Sequence, residues 1–161
     1  MFKRLALSAL VLVVPVSAVA QMPVTAGGFV GRQFENKVDW IEFGGEARIA
    51  LPGMEKMAAS PRFTYRPLDG GKLIQIDLNL LNNFELAKPG LFRPYAGIGG
   101  AVSRPSFGSF SETKVGLNLV SGARIVAGNG PVEPFFNAQY TITKSFENAF
   151  ALALGASVKV R

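Results

Sequence analysis

Along most of the chain, apolar and polar positions alternate with a period of two. In 73–80, Ile74, Ile76, Leu78 and Leu80 share one face, and Gln75, Asp77 and Asn79 share the other. In 38–51, Ile41, Phe43, Ala47, Ile49 and Leu51 oppose Glu42, Gly44, Glu46 and Arg48. Side chains of an extended strand point alternately to its two faces, so each run predicts a strand with one apolar face. The same alternation marks 62–66, 92–102, 114–125, 132–143 and 149–160. A first strand falls in 24–34, where Gly27, Gly28 and Gly31 blur the phase, and eight strands result. The separators carry turn residues, such as Asp69-Gly70-Gly71 and Gly128-Asn129-Gly130-Pro131. Most are short, which predicts antiparallel neighbours. Residues 52–60 and 103–111 read as longer connections, with 54–59 able to form one helical turn. Neither a repeat nor an interdomain linker interrupts the cadence.

The first 20 residues follow a different rule. Lys3 and Arg4 precede the uncharged apolar run 5–14, and Ala18-Val19-Ala20 is a small-x-small cleavage site before Gln21. That is a secretory signal pattern, too short and too early broken by Pro15 for a spanning helix. The reading is therefore a signal peptide at 1–20 and one domain at 21–161.

Alternation alone does not say which face is outside. The polar face of the last strand is Ala149, Ala151, Ala153, Gly155 and Ser157, opposite Phe150, Leu152, Leu154 and Val158. Such small side chains suit the narrow interior of an eight-stranded barrel, not a surface facing water. The charges on the polar faces are Glu42, Glu46, Asp77 and Glu133 with Arg48, Arg62, Arg66, Arg93, Lys114 and Arg124. Arginine prevails there and lysine collects at strand ends, which fits confined carboxylate pairing by planar guanidinium groups. Trp40, Phe63, Tyr65, Phe84, Phe92, Phe136, Tyr140 and Phe150 sit mostly near strand ends, as interfacial girdles do. The expectation is an all-β, eight-stranded antiparallel up-and-down transmembrane barrel with its apolar side chains toward lipid.

Composition narrows the chemistry. The 161 residues contain no Cys and no His, with 17 Lys+Arg against 11 Asp+Glu. Disulfides, thiolate nucleophiles, imidazole metal ligands and Ser-His catalysis are thereby removed. The basic excess is scattered, so a nucleic-acid surface is not expected. Only 17% of residues are charged and 48% are hydrophobic, although no second apolar run reaches the length of a spanning helix.

Phe92-Arg93-Pro94-Tyr95-Ala96-Gly97-Ile98-Gly99 resembles the Pro-Tyr-x-Gly-x-Gly strand of small Gram-negative outer-membrane barrels, the OmpA-like and opacity-like superfamily. Glu133-Pro134-Phe135-Phe136 with Tyr140 is similar to a following aromatic strand, and Leu154-Gly155-Ala156-Ser157-Val158 to the closing strand. The resemblance implies an outer-membrane location, and outer-membrane lipid and the barrel-assembly machinery as partners. Barrels of this kind usually end on an aromatic residue, and here the last residues are Val160-Arg161.

No constellation for catalysis, cofactor or metal emerges. Glu42 and Glu46 lie about 13 Å apart along one strand, too far to share a proton. They read as structural partners for Arg48, Arg62, Arg93 and Arg124. The expected polar network of the interior is Glu42, Glu46, Arg48, Arg62, Asp77, Arg93, Arg124 and Glu133. Phe107 and Phe110, in a Ser/Gly-rich loop, are candidates for surface contact. A barrel of this size is filled by its own side chains, so a wide pore is not expected. The competing readings are a soluble periplasmic lipocalin-like barrel with a lipid or other apolar ligand inside, and a His-independent enzyme acting on envelope lipid. The spanning barrel is expected to partition with membranes and to change its gel migration on boiling. Recovery in aqueous solution without detergent would favour the lipocalin-like version.

Overall fold

The computed structural model describes residues 22–35, 38–86, 91–126, 130–143 and 148–160. The signal-peptide expectation for 1–20 lies outside the described residues. The strands are β1 Val24–Glu35, β2 Val38–Leu51, β3 Met54–Leu68, β4 Gly71–Asn83, β5 Phe92–Phe107, β6 Phe110–Ser111, β7 Lys114–Ile125, β8 Val132–Thr143 and β9 Asn148–Lys159. Each long strand pairs antiparallel with its neighbours in the order β4-β3-β2-β1-β9-β8-β7-β5, and β4 pairs with β5 to close the ring. Closure is continuous across the seam between first and last strands, from Thr25 opposite Lys159 to Phe34 opposite Phe150. The two-residue β6 only extends β5, by the pairs Ser106–Ser111 and Phe107–Phe110. The fold is thus the expected eight-stranded transmembrane barrel.

The orientation follows the alternation. Ile76, Leu78, Ile98, Leu117 and Leu154 are each more than 60% exposed. Glu42, Arg66, Asp77 and Asn118 are buried along the axis at 2% or less. The apolar positions therefore form the outer belt, the reverse of a lipocalin-like calyx. Phe34, Tyr65, Tyr140 and Phe150 stand outward towards the β3–β4 turn end, with Phe34 stacked on Phe150 at a centroid distance of 6.3 Å. Phe84 and Phe92 are exposed near the opposite end. Within the belt, outward-facing Arg32 pairs with Asp39 and lies over the Phe34 ring at 5.9 Å.

Three local expectations change. Residues 52–60 are not a long connection: Pro52 and Gly53 make the turn and β3 begins at Met54. Gly53 takes φ +71°, a conformation that suits glycine. The segment 54–60 became strand because β4 offers it a ladder, Met57–Asn82 to Ser60–Asn79. A register shift at Ala50/Leu51 hides the alternation in sequence. Likewise 103–111 is mostly strand, a hairpin turning at Gly108-Ser109 with φ +57° at Gly108. Finally, Trp40 does not join an outer girdle. It shares parity with Glu42 and lines the mouth of the barrel.

Pro61 interrupts β3 without interrupting the fold. The β2–β3 pairing lapses at Ala47 and Arg48, opposite Pro61 and Ser60, where the missing proline N–H is not needed.

A charge at the centre of the outer belt is costly in lipid. Leu78→Arg is expected to lower the stability of the bilayer-embedded barrel by about 2–4 kcal/mol. Denaturant unfolding in vesicles measures it, and an unchanged midpoint would contradict the belt.

Candidate functional site

The alternation that turns leucines outward turns the charged residues onto the axis. On β2, Glu42, Glu46 and Arg48 face inward, where they meet Arg62 and Arg66 of β3, Asp77 of β4, Arg124 of β7 and Glu133 of β8. They form connected groups along the lumen.

Nearest the β3–β4 turn end, Glu42 holds two guanidinium groups. Arg62 Nη2 donates to Oε1 at 3.1 Å and Arg66 Nη2 to Oε2 at 3.0 Å. Arg66 also donates to Gln33. Arg62 continues to Asn137 Oδ1 at 3.1 Å, and Asn137 donates to Tyr95 Oη at 3.2 Å. Tyr95 in turn donates to the Phe136 carbonyl. Across the lumen, Asp77 Oδ1 accepts from Gln75 and Asn118, both at 2.8 Å. Towards the other end, Arg48 Nε donates to Glu46 Oε1 at 2.8 Å. At the mouth, Glu133 is shared by Arg124 and Lys159, each at 3.3 Å.

The charged groups rest on aromatic rings, and the rings rest on glycines. Arg62 lies 3.7 Å over the Phe29 ring, and Arg48 lies 4.1 Å over Tyr95. Phe29, Tyr95 and Phe135 are cross-strand partners of Gly44, Gly122 and Gly155. A Cβ at any of these glycines would collide with the ring and with a neighbouring carbonyl. In a lumen this narrow, an aromatic ring needs a partner without a side chain, and the ring then offers its negative face to a guanidinium.

The pairing differs in part from the sequence expectation. Arg62 and Arg48 do meet Glu42 and Glu46, respectively. Arg124 pairs instead with Glu133, because β7 adjoins β8 and not β2. Arg93 is exposed at the mouth and makes no ion pair among the described residues. Arg66, the second partner of Glu42, is absent from the expected network. Its parity with Arg62 was the available signal. Phe107 and Phe110 are exposed at 43% and 62%, as a cross-strand pair at the hairpin tip and not in a loop. Among the described residues, no group of three His, Cys, Asp or Glu side chains is placed to hold a metal ion.

Two cavities open at opposite ends. One, of about 310 Å³, is lined by Gln33, Trp40, Arg66, Gln75, Phe107 and Lys114, among others. The other, of about 210 Å³, is bounded by Arg48, Arg93, Arg124, Glu133 and Lys159. No residue lines both.

No protein-family model and no curated protein sequence matches the chain. Solved structures do. The Neisserial surface protein A (NspA) superposes with a TM-score of 0.66 at 15% identity, over 86% of this chain and 96% of that one. This chain has the fold of the small eight-stranded outer-membrane barrels. The N-terminal β-barrel domain of Pseudomonas aeruginosa OprF gives 0.59 at 16% identity, over 85% and 96%. The attachment invasion locus protein Ail of Yersinia pestis, in complex with the heparin analogue sucrose octasulfate, gives 0.61 at 13%, over 86% and 97%. At these identities the likeness speaks for the barrel, and the interior of this chain has to be read from its own residues.

Removing one side of a buried ion cluster leaves the other charge unpaired. Glu42→Gln, which strands Arg62 and Arg66, is expected to cost about 3–5 kcal/mol in denaturant unfolding. The double change Glu42→Gln with Arg66→Met should recover part of that loss. Equal stability of wild type and Glu42→Gln would contradict the cluster.

Proposed function

We propose that the chain is an integral bacterial outer-membrane protein with a structural or surface-interaction role, its interior closed by the Arg–carboxylate network. The observation that carries this reading is the burial of the polar groups along the barrel axis. Glu42, Arg62, Asp77, Asn118 and Asn137 are all buried between two mouth cavities that share no lining residue. A buried hydrogen-bonded cluster of this kind obstructs a water column. The outer belt and the likeness to outer-membrane barrels support the location. Export by residues 1–20, insertion by the barrel-assembly machinery and contact with outer-membrane lipid belong to the same proposal.

The reading is non-enzymatic. The buried carboxylates of Glu42, Glu46, Asp77 and Glu133 are engaged by guanidinium, ammonium or amide donors. Surface contact would fall to the β5–β6 hairpin, where Phe107 and Phe110 stand exposed on either side of the turn.

Reconstituted in planar bilayers, the wild-type barrel is expected to show no steady steps of porin size. Glu42→Ala combined with Arg66→Ala should introduce small, frequent openings. Large steady steps from the wild type would defeat the closed-interior reading.

A further inference from the structure

The cavity at the Val24/Lys159 end has a charge and hydrogen-bond inventory that the network leaves unfinished. Four bases line it, Arg48, Arg93, Arg124 and Lys159, against the carboxylates of Glu55 and Glu133. With Glu46 counted behind Arg48, bases still exceed acids. Arg48, Arg93 and Arg124 line the same cavity, so three guanidinium groups converge on one vestibule. Like charges held together in a confined, partly desolvated space repel unless a counter-ion joins them.

The unpaired atoms point the same way. Arg48 Nη1, Arg124 Nε and Thr25 Oγ1 are buried without hydrogen-bond partners, and all three residues line this cavity. The Arg48 side chain is only 5% exposed. Every one of these atoms can donate. Elsewhere in the lumen the unpaired atoms are mixed, with Asp77 Oδ2 and Gln139 Oε1 as acceptors beside Arg62 Nε and Arg66 Nε. Unpaired donors beside excess positive charge require an acceptor that is itself negative.

We propose that this vestibule is a binding site for a small oxyanion of the phosphate or carboxylate class. Its volume of about 210 Å³ accommodates roughly seven waters, and therefore one such anion with part of its hydration. Arg48 and Arg124 supply the inner donors, with Thr25 beside them. Arg93 and Lys159 supply the outer charges through which the anion enters. Arg93, which makes no ion pair among the described residues, offers a guanidinium fork that an oxyanion edge meets in two parallel hydrogen bonds, a contact that a spherical halide does not reproduce. The site lies on the barrel axis, open at the mouth and walled from the bilayer by the strands. The ligand is accordingly a solute or a group presented along the axis, not the headgroup of a lipid packed against the belt.

The test uses the full folded chain in zwitterionic detergent micelles, titrated with inorganic phosphate and, separately, with chloride at matched ionic strength. Calorimetry is expected to show one saturable phosphate event per barrel and none for chloride, with a higher unfolding temperature in phosphate. Arg93→Gln and Lys159→Gln, both at the open mouth, should each weaken phosphate by about tenfold. Lys72→Gln, at the other end, should leave it unchanged. Heat-modifiable migration confirms that each variant is folded. Absence of saturable phosphate binding to the wild type overturns the proposal. So does an equal response to chloride, or undiminished binding in folded Arg93→Gln. An anionic phospholipid that shifts the unfolding temperature where phosphate does not would place the anion on the lipid face, and it also overturns the proposal.

Discussion

A strand inside a bilayer has no water to satisfy its N–H and C=O groups, so its sheet must have no edge. Here that condition is met where β1 pairs with β9, and the rest of the molecule follows from it. A ring closed by eight strands has a lumen only as wide as a few side chains. Because the outside is given to lipid, the polar side chains that the alternation turns inward must fit within that lumen.

Fitting and pairing are solved together. Glycines on one strand make room for rings on the next, and the rings carry guanidinium groups on their faces: Gly44, Phe29 and Arg62 form one such column, and Gly122, Tyr95 and Arg48 another. The same guanidinium groups reach Glu42 and Glu46. Small residue, aromatic ring and charge are successive layers of one packing arrangement. Arginine suits it better than lysine, since its flat head can stack and donate at the same time. The two cavities at the mouths differ in chemistry: Trp40, Arg66, Phe107 and Lys114 are among the residues lining one, and Arg48, Arg93, Arg124 and Lys159 make the other basic.

Much of this was legible in the alternation. Ile76 and Leu78 outside, Asp77 inside, and small residues along the inner face of β9 all follow from period two plus the volume of an eight-stranded barrel. What escaped did so for identifiable reasons. The strand at 54–60 was hidden because a bulge at Ala50/Leu51 shifts the phase, and because Met-Glu-Lys-Met-Ala-Ala has a local preference for helix that the β4 ladder overrides. Residue type places Trp40 with the girdle, whereas its parity with Glu42 turns it inward.

Sequence by itself determined the strand count, the inside and outside faces and the supply of interior charge, since each depends on neighbours along one strand. Which charge meets which was decided only in three dimensions. Arg124 turned to Glu133, Arg66 joined Glu42, and Arg93 was left at the mouth, because partners across a lumen depend on stagger and on the distance between non-adjacent strands. Neither quantity is encoded in the period of a single strand. Both appear only when the ring closes.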